Sequence, residues 1–306
     1  MKLFKTVTIF LFAASLCGAQ QSLFFTAKDF APVLDSMNFP EGPAYDYAGS
    51  VYVSSCYGGF IKKIRDGNSN LFVTADSAGI KQTNGLTFFK DGSLFACDFG
   101  RGAILRIFQN GKVNVIADAY EGKRFNRPND LAFDSEGNLY FSDPKSSDTL
   151  NPDGRVFCID YETKSVKLIL EGIAYPNGIA FSKNNKNIYL CESAKNRVLK
   201  FDVSKSGSLI NKKVFANLPG GSPDGIALDE QSNLYVAHFG GKALYVIDQN
   251  GKTVEKLETP GKKPSNIEFA GEDLKTLFLT EDETNKVYTI RTKNKGLPLQ
   301  SSPSKK

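Results

Sequence analysis

Apolar and polar positions along this chain form a unit that is written six times. The clearest copy is NRPNDLAFDSEGNLYFSDP, Asn126 to Pro144: a polar tripeptide, a short apolar run, a tight turn, a second apolar run and an acidic residue. Its relatives are FPEGPAYDYAGSVYVSS from Phe39, QTNGLTFFKDGSLFACD from Gln82, YPNGIAFSKNNKNIYLCE from Tyr175, SPDGIALDEQSNLYVAH from Ser222 and KPSNIEFAGEDLKTLFLTE from Lys263. One marker per copy, Glu41, Asn84, Asn129, Asn177, Asp224 and Asn266, recurs at intervals of 42 to 48 residues. A period in the forties with several short strands per unit predicts an all-β, six-bladed β-propeller, one four-stranded blade per repeat. A β-sandwich would show turn signals every 8 to 12 residues or so without long-period self-similarity.

Within a unit the expected order is inner strand (GIALD from Gly225), second strand (LYVAH), third strand (LYVID) and outer strand (TVEKLE). Asp91-Gly92, Asn110-Gly111, Glu136-Gly137 and Asn250-Gly251 stand where hairpins must close. The strands read as nearly continuous apolar runs, which predicts that both faces of each blade are covered by its neighbours. The last repeat lacks a fourth strand, while DFAPVLDS at Asp29 precedes the first repeat. The N-terminal segment is therefore expected to complete the sixth blade and remove an open sheet edge. The domains follow: 1–19 a leader, 20–295 a single propeller, 296–306 a polar tail.

An inner strand lies against the propeller axis, so the residue just before it in each blade projects toward the central channel. Those residues are Glu41, Asn84, Asn129, Asn177, Asp224 and Asn266, all carboxylates or carboxamides. Unpaired buried polar groups cost roughly 1–3 kcal/mol each, so a ring of them needs a partner. Oxygen-only donors with two negative charges suit Ca²⁺ best, with Mg²⁺ or Mn²⁺ next. Zn²⁺ is disfavoured by the single histidine, His238. Singly, such residues usually cap turns where strands begin; six at one register point to a cation. A second ring, Ser55, Asp98, Asp143, Glu192, His238 and Glu281, ends the second strands, and is expected either to relay protons or hold another ion, or to form solvated loop tips.

Composition narrows the rest. At 41% apolar residues the chain has ample core material. Its net charge of +5 comes from scattered bases with no basic helix, which argues against nucleic-acid binding. Met1 to Ala19 has the basic start (Lys2, Lys5), apolar run and small-residue end of a secretory signal, and the run is too short to span a bilayer. A secreted or periplasmic protein is expected. Of the remaining cysteines, Cys97 and Cys191 fall where other copies have Ser54, Ser142, Ala237 and Thr280, a position that wants a small residue. Buried free thiols are expected, with Cys56 and Cys97 the one pair on adjacent blades that merits testing. No serine sits in a nucleophile elbow and no phosphate-cradling loop is present.

PEGP at Pro40, RPNDL at Arg127, SDP at Ser142, PNGI at Pro176 and PDGI at Pro223, in this order and spacing, resemble the regucalcin and gluconolactonase family of six-bladed metal-dependent hydrolases. The resemblance covers Phe39 to about Ile290. It implies metal ligation by Glu41, Asn177 and Asp224 with Asn129 as a further ligand, substrate contacts from Arg127, Asn129 and Asn84, and Asp224 as the proton-transferring carboxylate. Asp98, Asp143 or Glu192 acting through water are alternatives for the base. The implied reaction is hydrolysis of a small-molecule lactone or ester, with a metal polarising the carbonyl and a carboxylate activating water. A phosphotriesterase using the same metal and a non-catalytic NHL-type binding propeller are the competing possibilities. Ser142, where many relatives have Thr, and KSSD after Pro144 depart from the pattern in a loop that shapes the pocket.

Overall fold

The structure is a computed structural model that describes residues 22–26, 29–160 and 162–300. The leader Met1 to Ala19 and the last residues of the tail, 301–306, lie outside the described residues. The described chain forms six four-stranded antiparallel sheets, and the sixth takes its outermost strand, Ala31–Leu34, from the N-terminal end, paired with Lys286–Arg291. A bridge between Phe25 and Thr292 extends that seam. The six-bladed propeller and its closure are thus as the repeats predict. A two-stranded hairpin, Ala119–Tyr120 with Lys123–Arg124, is added between the second and third blades.

Each second strand carries an aromatic at the same place: Tyr52, Phe95, Tyr140, Tyr189, Tyr235 and Phe278. Four of them meet an inner-strand phenylalanine of the next blade edge to face, Tyr52 on Phe88, Phe95 on Phe133, Tyr140 on Phe181 and Tyr235 on Phe269, with ring centroids 5.0 to 5.1 Å apart. Such pairs add roughly 0.5–1.5 kcal/mol beyond the area they bury, and they fix the stacking of one blade on the next. Replacing fully buried Phe88 by Leu keeps most of the volume but loses the edge contact, so the denaturant midpoint should fall by an amount equivalent to about 1–2 kcal/mol.

The expectation of continuous burial holds largely for the first two strands of a blade and for third strands such as Ala103–Ile107 and Ala243–Ile247, whereas the third strands Phe60–Arg65 and Arg197–Val203 are partly half-buried. Outer strands such as Thr253–Glu258 and Leu209–Asn217 are half-buried to exposed and largely polar. They have no further strand beyond them, and Lys, Asn and Glu on that rim discourage edge-to-edge association. All four described cysteines are buried and free, so no Cys56–Cys97 bridge forms.

The described part of the C-terminal tail does not hang free. Leu297 donates its N–H to Leu228 O, the Leu299 N–H reaches the Tyr47 hydroxyl, and Leu297 to Gln300 line the end of the channel opposite the site described next.

Candidate active site

The axial residues face inward because of a repeated irregularity. In five blades the ladder between inner and second strands skips register around the marker: between Glu41 and Ala44, Thr83 and Leu86, Pro176 and Ile179, Pro223 and Ile226, and Pro264 and Ile267. The markers therefore sit in bulges inside the strand, rather than ahead of it, and a bulge re-aims a side chain out of the pleat. A glycine follows in most copies, since the neighbouring inner strand leaves no room. A Cβ at Gly178 would lie 2.2 Å from Asp224 O, and one at Gly85 would lie 2.5 Å from Asp130 Oδ1.

Glu41, Asn84, Asn129, Asn177 and Asp224, all under 10% exposed, line one cavity of about 370 Å³, with Arg127 at its side. The asparagine amides are set against the acids, Asn84 and Asn266 on Glu41 and Asn177 on Asp224. The carbonyl oxygens of Asn84 and Asn177 are buried with no hydrogen-bond partner. Burial, then the nearby charge of Asp130, pushes Glu41 up to about 8. Burial, then the charge of Glu41, holds Asp224 well above the ordinary carboxylate range. Two buried acids whose ionisation burial disfavours, beside two unpartnered carbonyl oxygens, form a donor set that could hold a hard dication. Among the described residues no three His, Cys, Asp or Glu side chains converge as ligands, so the donor set that fits is two carboxylates with carboxamides.

Asn266 departs from the expected ring. In PSNI the proline pairs as in the other blades, so Ser265 is the true counterpart of Asp224, and Asn266 occupies the glycine position one residue on. Asn266 instead lines the deeper channel with Asp130 and Glu268. Asp130 likewise stands where PNGI and PDGI have glycine, a difference visible in RPNDL. Burial pushes Asp130 up to about 7 and Glu268 up to about 8. A carboxyl whose folded value lies above its unfolded value favours the fold while protonated. Stability should therefore fall as pH rises from about 4.5 through 8. Glu268→Gln should remove Glu268's share, raising stability at pH 8 by on the order of 1–3 kcal/mol and leaving it unchanged near pH 4, as melting curves in calcium-free buffer would read.

The second ring is neither a relay nor a set of solvated tips. Its members are fully buried and bind the segment leading into the inner strand of their own blade. Asp98 accepts from the Lys81 and Gln82 N–H groups, Asp143 from those of Asn126 and Arg127, Glu192 from Ala174, and Glu281 from Lys263. Ser55 bonds Asn38, and His238 Nε2 donates to Leu218 O. Burial lowers the His238 imidazole, keeping it neutral. Asp143 and Glu192 are further held by Arg155 and Arg197. Asp98, Asp143 and Glu192 are therefore committed to positioning the axial residues and are not available as bases.

Strand alternation sends the next residue of each copy the other way. Phe99 and Phe239, with Cys56 and Ser193, line the cavity, joined by Phe39, Tyr57 and Tyr175. In the sixth blade the position is Asp282, buried with neither carboxylate oxygen hydrogen-bonded and pushed up to about 9 by burial, then by Glu41. A shift of one residue along the repeat would have found this layer.

Fold and cavity together define a six-bladed propeller with an oxygen-lined axial pocket open at one face. The chain belongs to the SMP-30/gluconolactonase/LRE-like family, whose model matches residues 39–282. It is 30% identical over 242 residues to a gluconolactonase of Zymomonas mobilis subsp. mobilis, a match covering 70% of this chain and 64% of that protein's length. It is 28% identical to the diisopropyl-fluorophosphatase of Loligo vulgaris, over 66% of this chain and 69% of that one. Among solved structures, the gluconolactonase XC5397 of Xanthomonas campestris superimposes with a TM-score of 0.76 at 26% identity, covering 85% of this chain and 88% of that one.

Proposed function

We propose that this chain is an exported, divalent-metal-dependent hydrolase that opens lactone rings. The observation that carries this is the meeting, in one buried cavity, of two acids whose ionisation burial disfavours with two carbonyl oxygens that have no partner. Glu41, Asn129, Asn177 and Asp224 would hold a Ca²⁺ ion, and Asn84 lines the same wall. A bound dication supplies Lewis-acid polarisation of the lactone carbonyl.

The protein's own groups do the rest. Asp224, an ionised carboxylate beside the attacking water, takes its proton. Water oxygen bonds to the carbonyl carbon, the ring C–O bond breaks, and the proton returns to the departing alkoxide. Arg127, whose guanidinium lies 5.1 Å over the Phe99 ring, orients the substrate at the rim. Family membership and the Zymomonas and Xanthomonas gluconolactonases support the reaction class. Export rests on the leader alone.

The test is hydrolysis of a lactone panel by protein stripped with EDTA and then resupplied with Ca²⁺, Mg²⁺ or Mn²⁺, with paraoxon as a second substrate class. Loss on stripping and recovery with calcium is expected. Full turnover in protein shown to be metal-free by elemental analysis would sink the proposal, and turnover of paraoxon alone would move it to the phosphotriesterase class.

A further inference from the structure

The mouth of the pocket is built differently from its floor. Phe39 and Tyr57 of the first blade, Phe99 of the second, Tyr175 of the fourth and Phe239 of the fifth surround it. None of these rings is packed away: Tyr57 is 51% exposed and the other four are half-buried. Phe39 lies 4.7 Å from Tyr57 and 6.3 Å from Phe239, centroid to centroid, so three rings run continuously past the sixth blade. Arg127 covers the face of Phe99.

Two of these rings are held at a conformational cost. Phe39 and Tyr175 have φ of 60° and 58°, the left-handed region that bulky residues avoid, and each directly precedes the proline opening an inner strand. At the matching positions Gln82, Arg127, Ser222 and Lys263 take no such conformation. Glycine would relieve the strain in both places, so an aromatic side chain kept there despite it is serving the pocket.

The polar groups on this wall are the Tyr57 and Tyr175 hydroxyls at their ring tips, Ser222 and the Arg127 guanidinium, and Phe39, Phe99 and Phe239 offer none. The Ser193 hydroxyl is spent on Pro223 O at 2.5 Å, and burial pushes the Cys56 thiol up, leaving it an inert, weakly polar surface. A polyhydroxylated ring seated here would turn the hydroxyls on its Phe39, Phe99 and Phe239 side onto ring faces and leave those without partners. We propose that, given the lactonase activity argued above, this pocket selects lactones bearing an alkyl or aryl substituent over sugar lactones: the acyl group sits on the polar floor, and the apolar part is clasped by the five rings.

The experiment compares kcat/KM for δ-valerolactone, its 5-alkyl homologues, 3,4-dihydrocoumarin and glucono-δ-lactone, each corrected for spontaneous hydrolysis, with calcium present. Each added methylene should raise kcat/KM about fourfold until the mouth is filled, and dihydrocoumarin should exceed glucono-δ-lactone by at least about a hundredfold. In Phe239→Ala the ratio of long-chain to unsubstituted substrate should fall by about tenfold, with Phe239→Leu restoring most of it because apolar area returns. A preference for glucono-δ-lactone, or a ratio that Phe239→Ala leaves unmoved, overturns the selectivity and spares the lactonase activity. Hydrolysis of none of the four removes the lactonase activity itself, and the selectivity with it.

Discussion

Asp224→Asn should lower lactone turnover by about 10²–10⁴-fold, the range lost with a positioned base, while the variant melts at a higher temperature than the parent in EDTA. The two effects have one cause. Asp224 and Glu41 are acids sharing a buried cavity; burial raises both, with the charge of Glu41 next for Asp224 and that of Asp130 next for Glu41. The isosteric amide removes one of the two acids and keeps the shape, so the empty fold gains. The same substitution removes half the negative charge available to a metal. Calcium at a hundredfold above its dissociation constant should stabilise the parent by about 2.7 kcal/mol, and most of that shift should vanish in the variant. Turnover equal to the parent's would take Asp224 out of the chemistry. An unchanged calcium-induced melting shift would take it out of metal binding.

Gly178→Ala should cost upward of about 4 kcal/mol and abolish activity together with calcium binding. A methylene forced into a packed core ordinarily costs about 1–3 kcal/mol, because a neighbouring side chain yields. Here the added carbon meets backbone, 2.2 Å from Asp224 O and 3.0 Å from Gly225 Cα, so two inner strands must part. Asp224 and Asn177 lie on those strands, so a shift large enough to admit the methyl also separates two proposed ligands. Denaturant unfolding and calorimetric calcium titration of this variant would measure the two losses independently. A variant as stable as the parent that still bound calcium would mean that the inner strands are not in contact as described.

Much of this architecture was legible in the repeat. Marker spacing fixed the blade number, and the missing fourth strand of the last copy pointed to the segment at Asp29 as its substitute. Glu41, Asn84, Arg127, Asn129, Asn177 and Asp224 do gather around one cavity, because a motif repeated at constant register must return to the same place on the axis. Position alone could not give direction. Asp98 and Phe99 are neighbours in sequence, yet the carboxylate turns back to hold Lys81 and Gln82 while the ring enters the pocket, as period-2 alternation requires. Asn266 was misread because matching by residue type lined it up with asparagines, whereas the ladder aligns Ser265 there. The lower channel acids, Asp130 and Glu268, were missed because only the packing of all six inner strands brings them together.

The seam that joins the two ends of the chain has a bearing on how the molecule is made. Ala31–Leu34 has no partner until Lys286–Arg291 exists, more than 250 residues later, so five blades can be laid down in order of synthesis while the circle stays open. Contacts spanning nearly the whole sequence are slow to find, and completing the last blade is then the late event of folding. A chain cut short before Lys286 would keep two strands of that blade, expose the unpaired side of each end, and aggregate rather than function as a smaller ring.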